Sequence, residues 1–335
     1  MKSLPWISQL GLKVAAGLLS PAGQRASLIV LTYHRVLDRH DPLLPDEPDI
    51  AVFYQHMHLL KSLFNVLPLS EAVKRLKDGS LPARAVCITF DDGYANNLKL
   101  AVPILKAYGL PATVFVSTGF ISGGMMWNDI IIENLRASKG ELNLSKLNLG
   151  VYSIENNNDR CEVINQLINK IKYLDPMHRM QKVNAITEIT GISLSNDVMM
   201  SESQIKELYG AGIELGAHTV NHPILTQIED IEALHEIRNS KHTLESITGA
   251  PVACFAYPNG RPYRDYDERH VRMVHDCGFI GAVSTAWGAS RRKSDVLQLP
   301  RIAPWDTTAL RYAIRMIKTY LDPPSLSASY VSPGI

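Results

Sequence analysis

Two short stretches hold residue types that could do chemistry together. In "TFDDGY", Thr89 to Tyr94, an apolar run ends on the adjacent carboxylates Asp91 and Asp92, and a glycine follows. Two ionised carboxylates side by side repel each other, and an unpaired one out of water costs several kcal/mol, so something must compensate them. In a turning backbone neighbouring side chains diverge, so one carboxylate can face a metal ion while the other faces water or substrate. The plainer reading of Asp-Asp-Gly alone is an Asx-turn or a helix N-cap. The second stretch, "GAHTVNHP", Gly216 to Pro223, follows another apolar run and spaces His218 and His222 four apart. On a helical turn that spacing puts both imidazoles on one face, within reach of one ion; alone, such a pair can equally be surface or core packing. Together the motifs supply one carboxylate and two imidazoles from different strand ends. Such a facial set leaves coordination positions open, as a catalytic metal site does.

The elements that must position these residues follow from periodicity. Short apolar runs alternate with helix-period segments, the pattern of parallel strands joined by crossover helices. The strands are read at "SLIVLTY", "RAVCITF", "PATVFVS", "GIELGAH", "VACFAYP" and "FIGAVST". Helices are expected from Phe53 to Phe64, from an N-cap at Ser70 to Gly79, and up to Gly109, Gly249 and Gly278, with a capping box at Ser201 and Gln204. Six such units in series predict a closed or nearly closed (β/α) barrel, whose chemistry sits at the C-terminal strand ends. Residues 1–27 form an N-terminal amphipathic segment on the body or on a membrane surface, and 28–320 form the barrel domain. Within it, about 120–200 breaks the rhythm as a helical insertion, and 321–335, rich in Pro and Ser, reads as a mobile tail.

Composition narrows the classes. The 335 residues are 46% hydrophobic and 20% charged, an ordinary globular balance. Lysine plus arginine (34) barely exceeds aspartate plus glutamate (33), which gives no argument for a nucleic-acid partner. Four scattered cysteines, Cys87, Cys161, Cys254 and Cys277, suggest neither a disulfide framework nor a zinc knuckle. No apolar run is long enough to span a membrane. The expected compartment is the cytoplasm, with periplasmic or membrane-associated placement left open.

"TFDDGY", "HTVNHP" (His218 to Pro223) and "FAYPNG" (Phe255 to Gly260) resemble, in order and spacing, the first three motifs of the polysaccharide deacetylases, the NodB-homology domain of carbohydrate esterase family 4. The resemblance runs from about Ile29 to Pro304, and "LTYHRV" (Leu31 to Val36) is similar to the opening strand of the subgroup acting on bacterial exopolysaccharides. It implies a distorted (β/α) barrel of the NodB type that deacetylates N-acetylhexosamine units of a bacterial polysaccharide or glycan precursor with a divalent metal, usually Zn2+. By position it makes Asp91 the general base and Asp92, His218 and His222 the metal ligands. Amide hydrolysis needs a nucleophilic water, a Lewis acid and a proton acceptor, which agrees. In the third motif Tyr257 and Asn259 are the expected substrate- and oxyanion-facing residues, the Asn259 N–H as a donor.

There are departures from the family pattern. Many relatives have an arginine where this chain has Ala256, and a late Leu-x-His whose histidine is the general acid; here the late segment reads "LQLPRIAP". Arg301, coming off a strand end, is a candidate for the missing guanidinium, or else a surface arginine. His34, at the end of the first strand, is a candidate for the missing acid, since an imidazole gives and regains protons near neutrality; alternatively it only lines the groove. Trp127 and Asp129, in "MMWNDII", read as core rather than as a sugar-stacking wall. Two rival functions stand: another amide or imide hydrolase on the same barrel, recognised by an enclosed pocket, and a non-catalytic glycan-binding module with a degenerate site.

Overall fold

The six apolar runs become strands, and their order explains where the candidate residues meet. In the computed structural model, which describes residues 5–121 and 123–325, α1 (Trp6–Leu19) precedes β1 (Leu28–Tyr33), α2 (Ile50–Leu63), β2 (Asn65–Val66), α3 (Leu69–Asp78) and β3 (Ala85–Phe90). Then come α4 (Val102–Tyr108), β4 (Thr113–Val116), α5 (Trp127–Ala137), the strands β5 (Gly140–Asn143) and β6 (Val151–Ile154), α6 (Asn157–Ile171) and α7 (Pro176–Thr190). The chain ends with α8 (Glu202–Gly210), β7 (Glu214–Ala217), α9 (Asp230–Thr248), β8 (Cys254–Ala256), α10 (Glu268–Asp276), β9 (Gly281–Val283) and α11 (Ala309–Thr319).

The main sheet is parallel, in the order β1-β3-β4-β7-β8-β9, with β2 paired to the start of β3. Its two edges are drawn together by the segment after β9: Leu299 bridges to Val283 and Ile302 to Leu31. The result is the distorted (β/α) barrel expected. Every residue of β1 and β3 is buried, as in parallel strands covered on both faces, which is why they read as unbroken apolar runs.

Local details differ from expectation. α3 begins at Leu69, not after a Ser70 cap; the Leu69 and Ser70 amides donate instead to the Glu214 carboxylate, at 3.0 and 3.3 Å. The capping box at Ser201 and Gln204 is present. The insertion has its own core, built on Ile131, Leu135, Leu167, Ile171, Val183 and Ile186, and includes the antiparallel pair β5–β6 besides its helices. α1 packs on α2 and α11 and leaves Trp6, Ile7, Leu10, Val14 and Leu18 exposed. Of the expected tail, 321–325 is hydrogen-bonded to Trp287 through Asp322 and Ser325; 326–335 lie outside the described residues. Among the described residues no helix is long and apolar enough to cross a membrane.

Candidate active site

β3 runs directly into the paired carboxylates. The Asp91 amide still donates to Tyr33 O on β1 (2.9 Å), but Asp92 turns to a left-handed φ of 75° and Gly93 follows at 91°. A Cβ on Gly93 would lie 3.0 Å from Val116 Cγ1, so the chain is forced into a tight turn against β4. The two carboxylates therefore diverge, as a turning backbone requires, and both stay buried, Asp91 at 4% and Asp92 at 5% exposure.

Each carboxylate has a different compensation. Arg301, from the segment that closes the barrel, donates through Nη1 and Nη2 to the two oxygens of Asp91, both at 2.7 Å. Its Nε is fixed by Ser284 O (3.0 Å), and its Nη1 also reaches the Thr89 hydroxyl (3.3 Å). Burial works against the charge of Asp91, but the Arg301 guanidinium, helped by His218, more than offsets it and holds the carboxyl below its ordinary range. Asp92 instead faces two imidazoles: its Oδ1 lies 3.5 Å from Nε2 of both His218 and His222.

The histidines do not sit on a helical turn, as their spacing suggested. They lie in the loop after β7, where Thr219 and His222 both take positive φ (63° and 53°) and fold the chain back on itself. The fold-back is braced from α9: Glu236 accepts the Val220 and Asn221 amides, both at 2.8 Å, and the Asn221 side chain at 2.7 Å. Gly119 lets β4's loop approach, since a Cβ there would stand 2.8 Å from Val220 O. His218 Nδ1 is 2.7 Å from Ala256 O, so that nitrogen carries the proton and Nε2 offers a lone pair. Burial, with the neighbouring His218, keeps His222 neutral by lowering its pKa to about 3.

These donors suit a divalent cation. Among the described residues Asp92, His218 and His222 form the one cluster whose ligand atoms lie within 4.8 Å of one another, and the buried Asp92 Oδ1 has no hydrogen-bond partner. A carboxylate oxygen with no hydrogen-bond partner, converging with two imidazole nitrogens, is a donor set that a divalent cation takes.

The cluster opens into a groove of about 490 Å³. His34 lines it with Asp91, Asp92, His218 and His222; its side chain is half-exposed, with Nδ1 3.6 Å from Glu47. Burial lowers the His34 pKa, but Glu47, then Asp92 and Asp91, more than offset this and raise it above the ordinary value. Asn259 also lines the groove, in a left-handed turn (φ 59°), and its N–H has no acceptor among the described residues. Tyr257 does not belong to the site. Its ring is wholly buried against Tyr266, its hydroxyl donates to Leu297 O (3.0 Å) and its amide to Val283 O (3.2 Å), so nothing of its donors faces substrate.

Trp127, read as core, packs on the inserted lobe's core and also lines the groove, while Asp129 is buried, accepts the Tyr94 hydroxyl (2.8 Å) and has its pKa pushed by burial up to about 6. Other groove residues had no signal in their local sequence. Glu47, Lys172 and Arg261 come from loops and a helix end far apart in the chain, brought in only by the barrel and the inserted lobe.

A distorted (β/α) barrel that gathers a guanidinium-held carboxylate and an Asp-His-His cluster at its strand ends has the layout of a hydrolase. The polysaccharide deacetylase family model matches residues 78–138 and 171–281, and the chain belongs to that family, whose members hydrolyse carbon–nitrogen bonds. The unmatched stretch between holds β5, β6 and most of α6, within the insertion. Over 279 residues the chain is 22% identical to the putative polysaccharide deacetylase YxkH of Bacillus subtilis, covering 83% of this chain and 71% of that protein. A 166-residue match, 28% identical, covers 45% of this chain and 55% of a poly-beta-1,6-N-acetyl-D-glucosamine N-deacetylase of Staphylococcus epidermidis. The fold is shared with IcaB from Ammonifex degensii (TM-score 0.57, 18% identity, 88% of this chain and 98% of that one). It is shared too with the Streptococcus pyogenes deacetylase PplD (TM-score 0.55, 21% identity, 83% and 92%).

Proposed function

We propose that this protein removes acetyl groups from N-acetylhexosamine units of a bacterial polysaccharide or glycan precursor, with Zn2+ held by Asp92, His218 and His222. The observation that carries the reading is the bidentate Arg301–Asp91 pair: a buried carboxylate kept charged, next in the chain to the candidate ligand Asp92. The name of the Staphylococcus epidermidis relative supports the substrate class.

When bound, the ion supplies a Lewis acid that lowers the pKa of water and polarises the acetamide carbonyl. Asp91, ionised and oriented by Arg301, accepts the proton of the attacking water. As the carbonyl carbon becomes tetrahedral, the free Asn259 N–H donates to the developing oxyanion. The C–N bond then breaks, acetate leaves, and the sugar nitrogen needs a proton. His34 gives it: the imidazole lines the groove beside Glu47, and a raised pKa keeps it protonated to higher pH. His218 is unsuited to this role, because its Nδ1 proton is committed to Ala256 O.

The groove is walled by barrel loops on one side and by Trp127, Ile168 and Lys172 of the inserted lobe on the other, which fits an extended glycan better than an enclosed small cyclic amide. The degenerate-module alternative is opposed by the coexistence of base and full ligand set. Acetate release from a panel of acetylated glycans, after chelation and with or without added zinc, tests the reading. Zinc-restored release supports it, and no release from any glycan contradicts it.

For the compartment we propose the cytoplasm, at a membrane surface. The cysteines are free, as in a reducing environment, and α1 offers an exposed apolar stripe whose helix carries one charge, Lys13. Co-sedimentation with anionic vesicles, weakened in Leu10→Asp, is the expected result; no sedimentation contradicts membrane association.

A further inference from the structure

One wall of the groove carries positive charge for which deacetylation itself has no use. Lys172, just past α6, and Arg261, in the loop after β8, both line the groove. The Arg264 guanidinium lies 4.4 Å from the centre of the Tyr173 ring, and Lys172 Nζ lies 5.7 Å from the same ring. Arg179, on α7, stacks 5.1 Å over Trp127, itself a groove residue, and its charge reaches His222. Burial lowers the Lys172 pKa; the Asp265 carboxylate opposes this, and Arg261, Arg264 and Arg179 add to the lowering.

The compensation for these four cations is incomplete. Among the described residues none of them forms an ion pair with a carboxylate. Asp265 is the carboxylate that acts on Lys172, a single negative charge against four positive ones; its oxygens accept the Tyr173 hydroxyl (3.1 Å) and the Arg261 amide (3.0 Å). Arg179 is 4% exposed; its Nη1 donates to Lys172 O (3.3 Å), and its Nε is buried with no partner. A buried guanidinium near like charges is costly, and an anion in the groove at Lys172 and Arg261 lowers that cost through its charge.

We propose that Lys172 and Arg261, which line the groove, form a binding site for an anionic group, a carboxylate or a phosphate, carried by the glycan beside the acetamido sugar that is hydrolysed, with Arg264 and the buried Arg179 adding positive charge behind them. This rests on the deacetylase reading above and narrows its substrate class to acidic glycans. Planar guanidinium groups take either oxyanion by paired hydrogen bonds, and the ammonium of Lys172 adds a point charge. A sugar already deacetylated carries an ammonium and is repelled by the same wall, so the site favours acetylated, acidic chain over stripped chain.

The test uses size-matched N-acetylhexosamine oligomers that are neutral, bear a uronic acid, or bear a phosphodiester. Binding is measured by calorimetry to zinc-loaded Asp91→Asn protein, and acetate release to the wild type. The expected result is a Kd and a KM about tenfold lower for at least one acidic oligomer than for the neutral one, a preference that falls with added salt. Lys172→Ala/Arg261→Ala, both at accessible positions, should abolish the preference while retaining metal and fold. Whichever acidic oligomer gains more identifies the anion. Equal affinity for all three oligomers, no binding of either acidic one, or a preference untouched in the double variant overturns the proposal. Acidic preference in binding without acetate release from any oligomer supports this site and overturns deacetylation instead.

Discussion

Removing the guanidinium from Asp91 is the perturbation whose size the structure fixes best. Arg301 is 2% and Asp91 4% exposed, and the two are joined by paired 2.7 Å hydrogen bonds, so Arg301→Met leaves a carboxylate buried with no counter-charge. Breaking a buried pair from one side costs about 3–5 kcal/mol. The carboxyl escapes that cost by taking a proton, and at about 1.4 kcal/mol per unit its pKa climbs by roughly 2–4 units from the lowered value that Arg301 maintains. The linkage changes sign with it. In the wild type the depressed pKa gives Asp91 a stabilising contribution, present above its unfolded value and lost as pH falls through the folded one. In Arg301→Met the raised pKa gives a contribution present at low pH and lost as pH rises through it. The assay is acetate release against pH together with thermal unfolding at pH 5 and 8. The acid limb of kcat/KM should move up by at least about two units, and the melting temperature should fall more at pH 8 than at pH 5. An unmoved acid limb with near-normal turnover would refute the claim that Arg301 keeps the base ionised.

The remaining expectations concern the acid and the histidine loop. His34→Gln should retain the metal, lose turnover and remove the basic limb of kcat/KM, which in the wild type falls as pH rises through the raised His34 pKa; an unchanged profile would return the donor's role to Asp91 or to water. Glu236→Ala frees the Val220 and Asn221 amides and loosens the turn carrying both imidazoles, so zinc affinity measured by chelator competition should drop roughly 10–100-fold. Unaltered affinity would mean that the loop holds its shape without α9.

How much of this was legible in the sequence depends on the range of the forces involved. β1 and β3 could be read because covered parallel strands are continuously apolar, and α9 and α4 because Gly249 and Gly109 supply left-handed ends. Asp91 and Asp92 alone read most plainly as a turn or a helix cap, and it was their combination with His218 and His222 that pointed to a site. The Ser70 cap was misplaced because its substitute, Glu214, lies on a distant strand. The His218–His222 spacing suggested a helical turn, whereas the convergence comes from positive φ at Thr219 and His222, which their side chains do not announce. Tyr257 shared a motif with Asn259 yet points into the core, since alternate residues beyond a strand end need not share a face. Arg301 was a coin-toss arginine until barrel closure carried it to Asp91, and Trp127 packs on the inserted lobe's core, as read, while also lining the groove.

The central claim is a division of labour between neighbours: Asp91 moves a proton, and Asp92 holds a metal with His218 and His222. Measuring zinc content and acetate turnover side by side in Asp91→Asn and in His218→Ala/His222→Ala tests it most directly. Asp91→Asn should keep about one ion per chain and lose ~10²–10⁴-fold in turnover, and the double variant should lose ion and activity together. Full zinc occupancy in the double variant, or near-normal turnover in Asp91→Asn, would contradict the account.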